Sequence, residues 1–224
     1  MSRSLTFIAE LNDHAVCLLQ HEDYSNGLTF LRKGLREILC IIRNQSQHKN
    51  DINTASEISI SLVTISESTR GDSDNCFSLL NRGLTFTSTG TSPNSGNTHT
   101  KVTSVLLYNS GLACHLQGLK SGSSAHLKKA VQFYEMALSA IDSLGTGRDD
   151  FSALALLALA NNKGHIKSCF FETEETRSCL ELLSGTFSSI SHPSAIMGES
   201  EYLVFFMSLL YGQQKTPHPF SPAA

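Results

Sequence analysis

Three pairings of histidine with cysteine are the first candidates for chemistry: His14 with Cys17, Cys114 with His115, and His165 with Cys169. The last pair stands four residues apart, so on a helix both side chains share one face. Zinc needs four such donors converging at about 2.0–2.3 Å, and the three pairs fall on three separate expected helices. The reading is therefore no metal and no cofactor, with Cys17, Cys114 and Cys169 packed as small apolar groups and the histidines facing water or capping polar groups. Nucleophile and phosphate motifs are missing too: the sequence has no GxSxG, HExxH, GxxxxGK[ST] or GxGxxG. The run GTGRDD (Gly145–Asp150) precedes a helix, where backbone N–H groups can cradle an anion, but Asp149 and Asp150 occupy the anion's place and read as helix caps. No catalytic residue is assigned. The alternative is a small-ligand or hydrolytic enzyme on a helical scaffold, using His115 and His165 as acid/base or ligand groups.

The elements that would position these residues come from a repeated spacing. Gly27, Leu31 and Gly34 stand at offsets of four and three, as do Ala130, Tyr134 and Ala137, and Thr176, Leu180 and Leu183. Ala15 precedes Gly27 by twelve and Gly164 precedes Thr176 by twelve, whereas Gly111 precedes Ala130 by nineteen. Small residues at one turn of a helix admit a close antiparallel partner, and large apolar residues fill the gaps beside them. The expectation is three helical hairpins, pairing 5–20 with 25–43, 103–119 with 124–143, and 151–170 with 174–183, followed by a last apolar helix over 199–211. Leu28, Leu31, Leu35, Ile38, Leu39 and Ile42 form the stripe of the second helix, and Leu127, Ala130, Tyr134, Ala137, Leu138 and Ile141 that of the fourth. Ser123 or Ser124, Asp149 or Asp150, and Thr173 are the expected N-caps.

Leu107, Gly111, Cys114, Gly118, Ala130, Tyr134 and Ala137 follow an order of large, Gly, aromatic, Gly, Ala, aromatic, Ala, with Cys114 at the first aromatic place. In this the chain resembles the tetratricopeptide repeat (TPR) family, in degenerate form. The resemblance implies an all-α fold of antiparallel hairpins stacked as a right-handed solenoid, acting as a non-catalytic scaffold or adaptor that binds a peptide or partner helix in a concave groove. In that family the first helix of each hairpin lines the groove, often with asparagines bonding an extended peptide. At matching or adjacent positions stand Asn12, Asn109, Asn161 and Asn162, with His115 and His165 about one turn further along. An Asn amide has two donors and an acceptor and can read a backbone whatever its sequence. Asn109 and Asn162 could equally bond within the solenoid to hold units in register. A chaperone C-terminal carboxylate is an unsuitable ligand, because Asn12, Ala158 and Asn162 stand where cations would be needed and only His165 could add charge.

The organisation read from these patterns is a first hairpin over 1–43, a polar insertion over 44–102, a second hairpin over 103–144, a third over 149–185, a capping helix over 193–212 and a disordered tail over 213–224. Ser, Thr and Asn make up nearly half of residues 44–100, so most of that insertion is expected to be disordered. Ile58, Ile60 and Leu62 alternate with Ser59 and Ser61, and Leu84 and Phe86 with Thr85 and Thr87, a strand period compatible with a short β-hairpin. Residues 87–100 have no apolar side chain and read as a tether. In the last helix Leu203, Phe206, Met207 and Leu210 make a stripe that Val204, Phe205 and Leu209 extend, fit to cap the third hairpin or to dock on another subunit.

Composition narrows the partners. With 17 Lys+Arg against 20 Asp+Glu the net charge is −3, too balanced for nonspecific nucleic-acid binding. The longest strictly apolar run, Ala153–Ala160, is far shorter than a bilayer span, and Glu10 and Asp13 interrupt the first apolar stretch, so neither a membrane helix nor a secretory leader is expected. Six dispersed cysteines without a CxxC suit a cytosolic or nuclear compartment.

Overall fold

The computed structural model describes residues 3–47, 55–65, 77–92, 97–145 and 149–215. The elements are α1 (Arg3–Gln20), α2 (Tyr24–Gln47), β1 (Ala55–Thr64), β2 (Arg82–Ser92), α3 (Thr98–Ser121), α4 (Ser124–Asp142), α5 (Asp150–Cys169), α6 (Thr173–Ser188), the short α7 (Pro193–Ile196) and α8 (Glu199–Lys215). The protein is thus mostly helical, with one small antiparallel sheet. It forms two compact units, one of residues 1–68 and 81–152, the other of residues 69–80 and 153–224.

One turn recurs three times. α1 ends on Glu22 (φ 60°), α3 on Gly122 (φ 65°) and α5 on Phe171 (φ 57°), each in the left-handed region. The next residue's N–H then reaches back to the carbonyl five residues earlier: Asp23 to Leu18 at 2.9 Å, Ser123 to Gly118 at 3.0 Å and Glu172 to Lys167 at 3.0 Å. That same residue's carbonyl accepts the first bond of the following helix, from Gly27, Leu127 and Thr176. These are Schellman closures, which satisfy the last carbonyls of one helix and start the next. Counted from the turn, Asp23, Ser123 and Glu172 are equivalent. The nineteen-residue interval in the second hairpin is therefore not a longer connection: all three turns have one length, and Gly111 and Ala130 each simply stand one helical turn further from the turn than Ala15 and Gly27 do.

Glycines set the helix spacing. A Cβ on Gly27 would lie 3.0 Å from Leu19 Cδ2, and one on Gly34 3.2 Å from Leu106 Cδ2, so α2 packs closely on α1 and α3. Gly118 faces Leu127 and Gly111 lies under the Tyr134 ring, which runs α4 antiparallel to α3. Ile8, Leu31, Ile38, Leu106, Tyr108 and Tyr134 fill the core of this unit.

On α1 and α3 rests the sheet. β1 pairs with β2 from Ala55↔Ser92 to Thr64↔Arg82, with a register shift between Glu57 and Ile58. Ile58, Leu84 and Phe86 are buried while Ser59 and Thr87 share a bond on the exposed face at 3.1 Å. Residues 87–92, expected as a tether, belong to β2. Ladder bonds come from the backbone, and β-branched threonines favour a strand without needing to be buried. α3 likewise starts at Thr98 rather than 103, with Thr98 and Val102 buried, and α2 continues to Gln47 because neither Gly nor Pro stands between Arg43 and Gln47. The expectations of disorder over 48–54, 66–76, 93–96 and 216–224 lie outside the described residues, and α8 itself runs on to Lys215.

The second unit packs the last helix by a face other than its Leu203–Leu210 stripe. Phe205, Ser208 and Gly212 face inward, while Leu203, Phe206 and Leu210 are exposed. A Cβ on Gly212 would sit 2.4 Å from Leu180, so the small-residue face of α8 packs against α6. Close approach at a glycine outweighs the apolar pattern of the opposite face.

Of the expected caps, Ser123 accepts from the His126 N–H at 3.5 Å, and Asp149 caps α5 by accepting from the Ser152 N–H at 2.9 Å and hydroxyl at 2.7 Å. Thr173 is not a cap: Glu172 is, because the turn fixes the residue after Phe171, and its carboxylate is held by Lys167 at 2.6 Å. Lys101 also pairs with Asp149 and lies over the Phe151 ring, 5.1 Å from its centroid.

Gly111→Ala is expected to destabilise by about 1–3 kcal/mol in urea melts despite the better helix former, since its Cβ would come within 2.5 Å of Tyr134. Gly185→Ala on α6 meets nothing within 4 Å, and should instead stabilise by about 0.5–1 kcal/mol. Burial pushes the Asp149 carboxyl up, but the bonds from Lys101 and Ser152 outweigh it and hold the group below its ordinary value of 3.8. A lowered pKa contributes stability that is complete well above 3.8 and lost as the pH falls through the folded value. Acid melts should therefore show less pH dependence in Asp149→Asn than in wild type; equal slopes would remove Asp149 from the acid response.

Candidate functional site

Each unit holds a stretch of extended chain with asparagine side chains. In the first unit the stretch is β2. Asn109, on α3, accepts from the Leu84 N–H at 2.9 Å and donates to the Leu84 carbonyl at 2.7 Å. Its other amide proton goes to Asn12 Oδ1 at 2.8 Å, and Asn12, on α1, donates to the same Leu84 carbonyl at 2.9 Å. Both lone pairs of that carbonyl are thus used, and every donor and acceptor of the Asn109 amide is engaged. Leu84, Asn12 and Asn109 are all fully buried, so these bonds replace water that cannot enter. Below them Gly83 admits Val16 and Ile65 at 3.0–3.2 Å from its Cβ position, and Tyr108 donates to the Arg82 carbonyl at 2.9 Å.

In the second unit the stretch is Phe77–Leu80, which belongs to neither helix nor strand. Asn162, on α5, repeats the two-point grip: it accepts from the Leu80 N–H at 2.9 Å and donates to the Leu80 carbonyl at 3.1 Å. Asn161 donates to the Ser78 carbonyl at 2.7 Å, and Ser208 of α8 accepts from the Ser78 N–H at 3.1 Å while donating to Asn161 Oδ1 at 2.8 Å. Alternate residues 78 and 80 are gripped, the period of an extended chain whose peptide groups point one way at every second residue. The side chains at the two ends of the stretch are apolar and buried. Phe77 lies against Gly164, where a Cβ would be 2.3 Å from the ring, and Leu80 is buried. Burying these two contributes about 1.5–3 kcal/mol each.

The sequence-marked residues thus separate into two groups. Asn12 and Asn109 come together, as do Asn161 and Asn162, and all four bond the backbone of this same chain. His115 is fully buried, its Nδ1 3.3 Å from Tyr134 Oη, and His165 is buried as well. Of the two expectations, facing water or capping polar groups, neither ring faces water, and the turn register places His115 level with Ala15 and Gly164 on the packed side of its helix. Of the cysteines expected to pack, Cys114 does, whereas Cys17 is exposed and Cys169 partly so. Burial pushes the Cys114 thiol up, against Lys129 and Arg32, which keeps it a protonated apolar group. Among the described residues no cluster of three or more His, Cys, Asp or Glu side chains is placed to hold a metal, and no helix is long and apolar enough to cross a membrane.

Sequence reasoning missed Ser208 and Gly164 as site residues, and missed the chain segment they hold. The signal was available in part: Phe77 and Leu80 are apolar residues stranded in a polar insertion. No family model, curated protein or solved structure matches this chain.

Asn109→Ala should cost about 2–4 kcal/mol in denaturant melts, because it leaves the buried Leu84 N–H and Asn12 Oδ1 unpaired. Asn12→Ala should cost less, since Leu84 then keeps both bonds to Asn109. The reverse order would show that the grip on Leu84 does not depend on Asn109.

Proposed function

We propose that the chain is a non-catalytic protein-interaction module: a TPR-like array of helical hairpins that holds extended polypeptide on asparagines of its first helices. The observation that carries this reading is the two-point amide grip, made by Asn109 on Leu84 and again by Asn162 on Leu80. Both grips address only peptide groups, which suits a surface that recognises extended chain by its backbone. The three identical hairpin turns support the repeat reading. The residues gripped here are the protein's own, so the surface is filled by an internal segment in this state.

The enzyme alternative would require His115 or His165 to meet a substrate. Burial of both rings and the bond of His115 to Tyr134 favour the interaction reading instead.

The test is affinity capture from native lysate, comparing wild type with Asn161→Ala and Asn162→Ala at matched helicity and melting temperature. A partner held by wild type and lost from both variants is the expected result. One retained equally by all three would move binding off the asparagine surface and onto another face, of which the exposed Leu203, Phe206 and Leu210 of α8 are the first to examine.

A further inference from the structure

The stretch Phe77–Leu80 is attached to its unit differently from β2. Leu84 sits in a strand paired with β1, and releasing it would break that ladder. Ser78 and Leu80 have no strand around them; they are gripped by side-chain amides and a hydroxyl from α5 and α8, and the stretch is anchored by the buried side chains of Phe77 and Leu80. Each of these holds could be matched by another polypeptide of the same pattern. Asn161, Asn162 and Ser208 bond the strap at its backbone, the Phe77 seat exists because Gly164 has no side chain, and Leu80 is buried three residues on.

We infer that the strap is an exchangeable internal ligand, and that the partner it stands in for is an extended protein segment carrying an aromatic residue followed three positions later by leucine. The inference rests on the reading of the asparagines as a peptide-holding surface and names that surface's ligand and its regulation. The groups gripping the strap, Asn161, Asn162, Ser208 and Gly164, carry no charge, so the selected segment is neutral at its core, in contrast to a carboxylate tail. The strap competes from within the same molecule at an effective concentration that for short tethers reaches the millimolar range. A free partner therefore binds with an affinity lowered by the small fraction of molecules whose strap is out. Any event that weakens the strap raises partner binding without touching the site.

The experiment uses the full chain and a fluorescent peptide of residues 74–83, DNCFSLLNRG. Anisotropy should show saturable binding, and in a Phe77→Ala chain, whose own strap competes less, adding Asn162→Ala should weaken it about tenfold or more by removing both bonds to the leucine that takes the place of Leu80. A peptide with Ala at the positions of Phe77 and Leu80 should not bind, and Phe77→Ala in the chain should tighten binding of the unaltered peptide. Hydrogen exchange supplies a readout free of any folding defect in the variants: excess unlabelled peptide should accelerate exchange of the chain's own Leu80 amide while leaving that of Leu84 unchanged. A Leu80 amide that exchanges only with global unfolding, with no saturable binding, overturns the inference and makes the strap a permanent part of the core. Binding to the Phe77→Ala chain that is indifferent to adding Asn162→Ala overturns it as well, and so does strap release that tracks formation of a dimer, which would make a second copy the occupant. A partner captured through the asparagines but not displaced by the peptide would sink this inference and leave the interaction module standing.

Discussion

Extended chain inside a helical protein must find hydrogen-bond partners that helices do not offer. Helix backbones satisfy themselves, so a strand laid against them presents peptide groups to a surface of side chains. This protein meets the requirement with asparagine, the one short neutral side chain that can donate to a carbonyl and accept from the N–H of the same residue. The rest of the arrangement follows from placing those amides. Asn12 and Asn109 must lie on neighbouring faces of α1 and α3 to share the Leu84 carbonyl. Helices that close need small residues between them and the helix in between, which Gly34 supplies where α2 meets Leu106. The apolar residues then do what they do in any core, and the polar ones decide what that core encloses.

Much of the helical framework was legible in sequence. Leu31, Tyr134 and Leu183 mark the inward faces of the second helix of each hairpin, and all three are buried. The β alternation of Ile58–Leu62 and Leu84–Phe86 also reads directly, because strand period two does not resemble helix period 3.6. Where pattern failed, a local geometric fact outweighed an average. The α8 stripe of Leu203 and Leu210 suits capping or docking alike, and one glycine and one serine decide which face packs. The Thr87–Ser92 segment looked structureless because apolarity was taken as the sign of order, whereas a ladder needs only backbone.

The asparagines show the sharper limit of sequence. Their type says what they can do, and the spacing says which helix carries them, but nothing in either says whose backbone they grip. That depends on a segment 25 to 83 residues away in the chain, brought there by the fold. The histidines show the same limit in reverse. His115 and His165 were attractive for their chemistry alone, and the hairpin register turns both inward.

The recurring turn has a consequence for how such a chain can change over time. Asn12 stands eleven residues before the cap at Asp23, and Asn161 eleven before the cap at Glu172, about three helical turns in each case. The turn anchors one end of that interval and the gripped peptide the other. Substitutions between them alter packing by degrees, but removing or adding a single residue swings the amide by about 100° away from the chain it holds. Drift in amino-acid identity along α1 and α5 is therefore permitted where drift in length is not. A lineage of such proteins would keep these intervals after its residues had ceased to resemble one another.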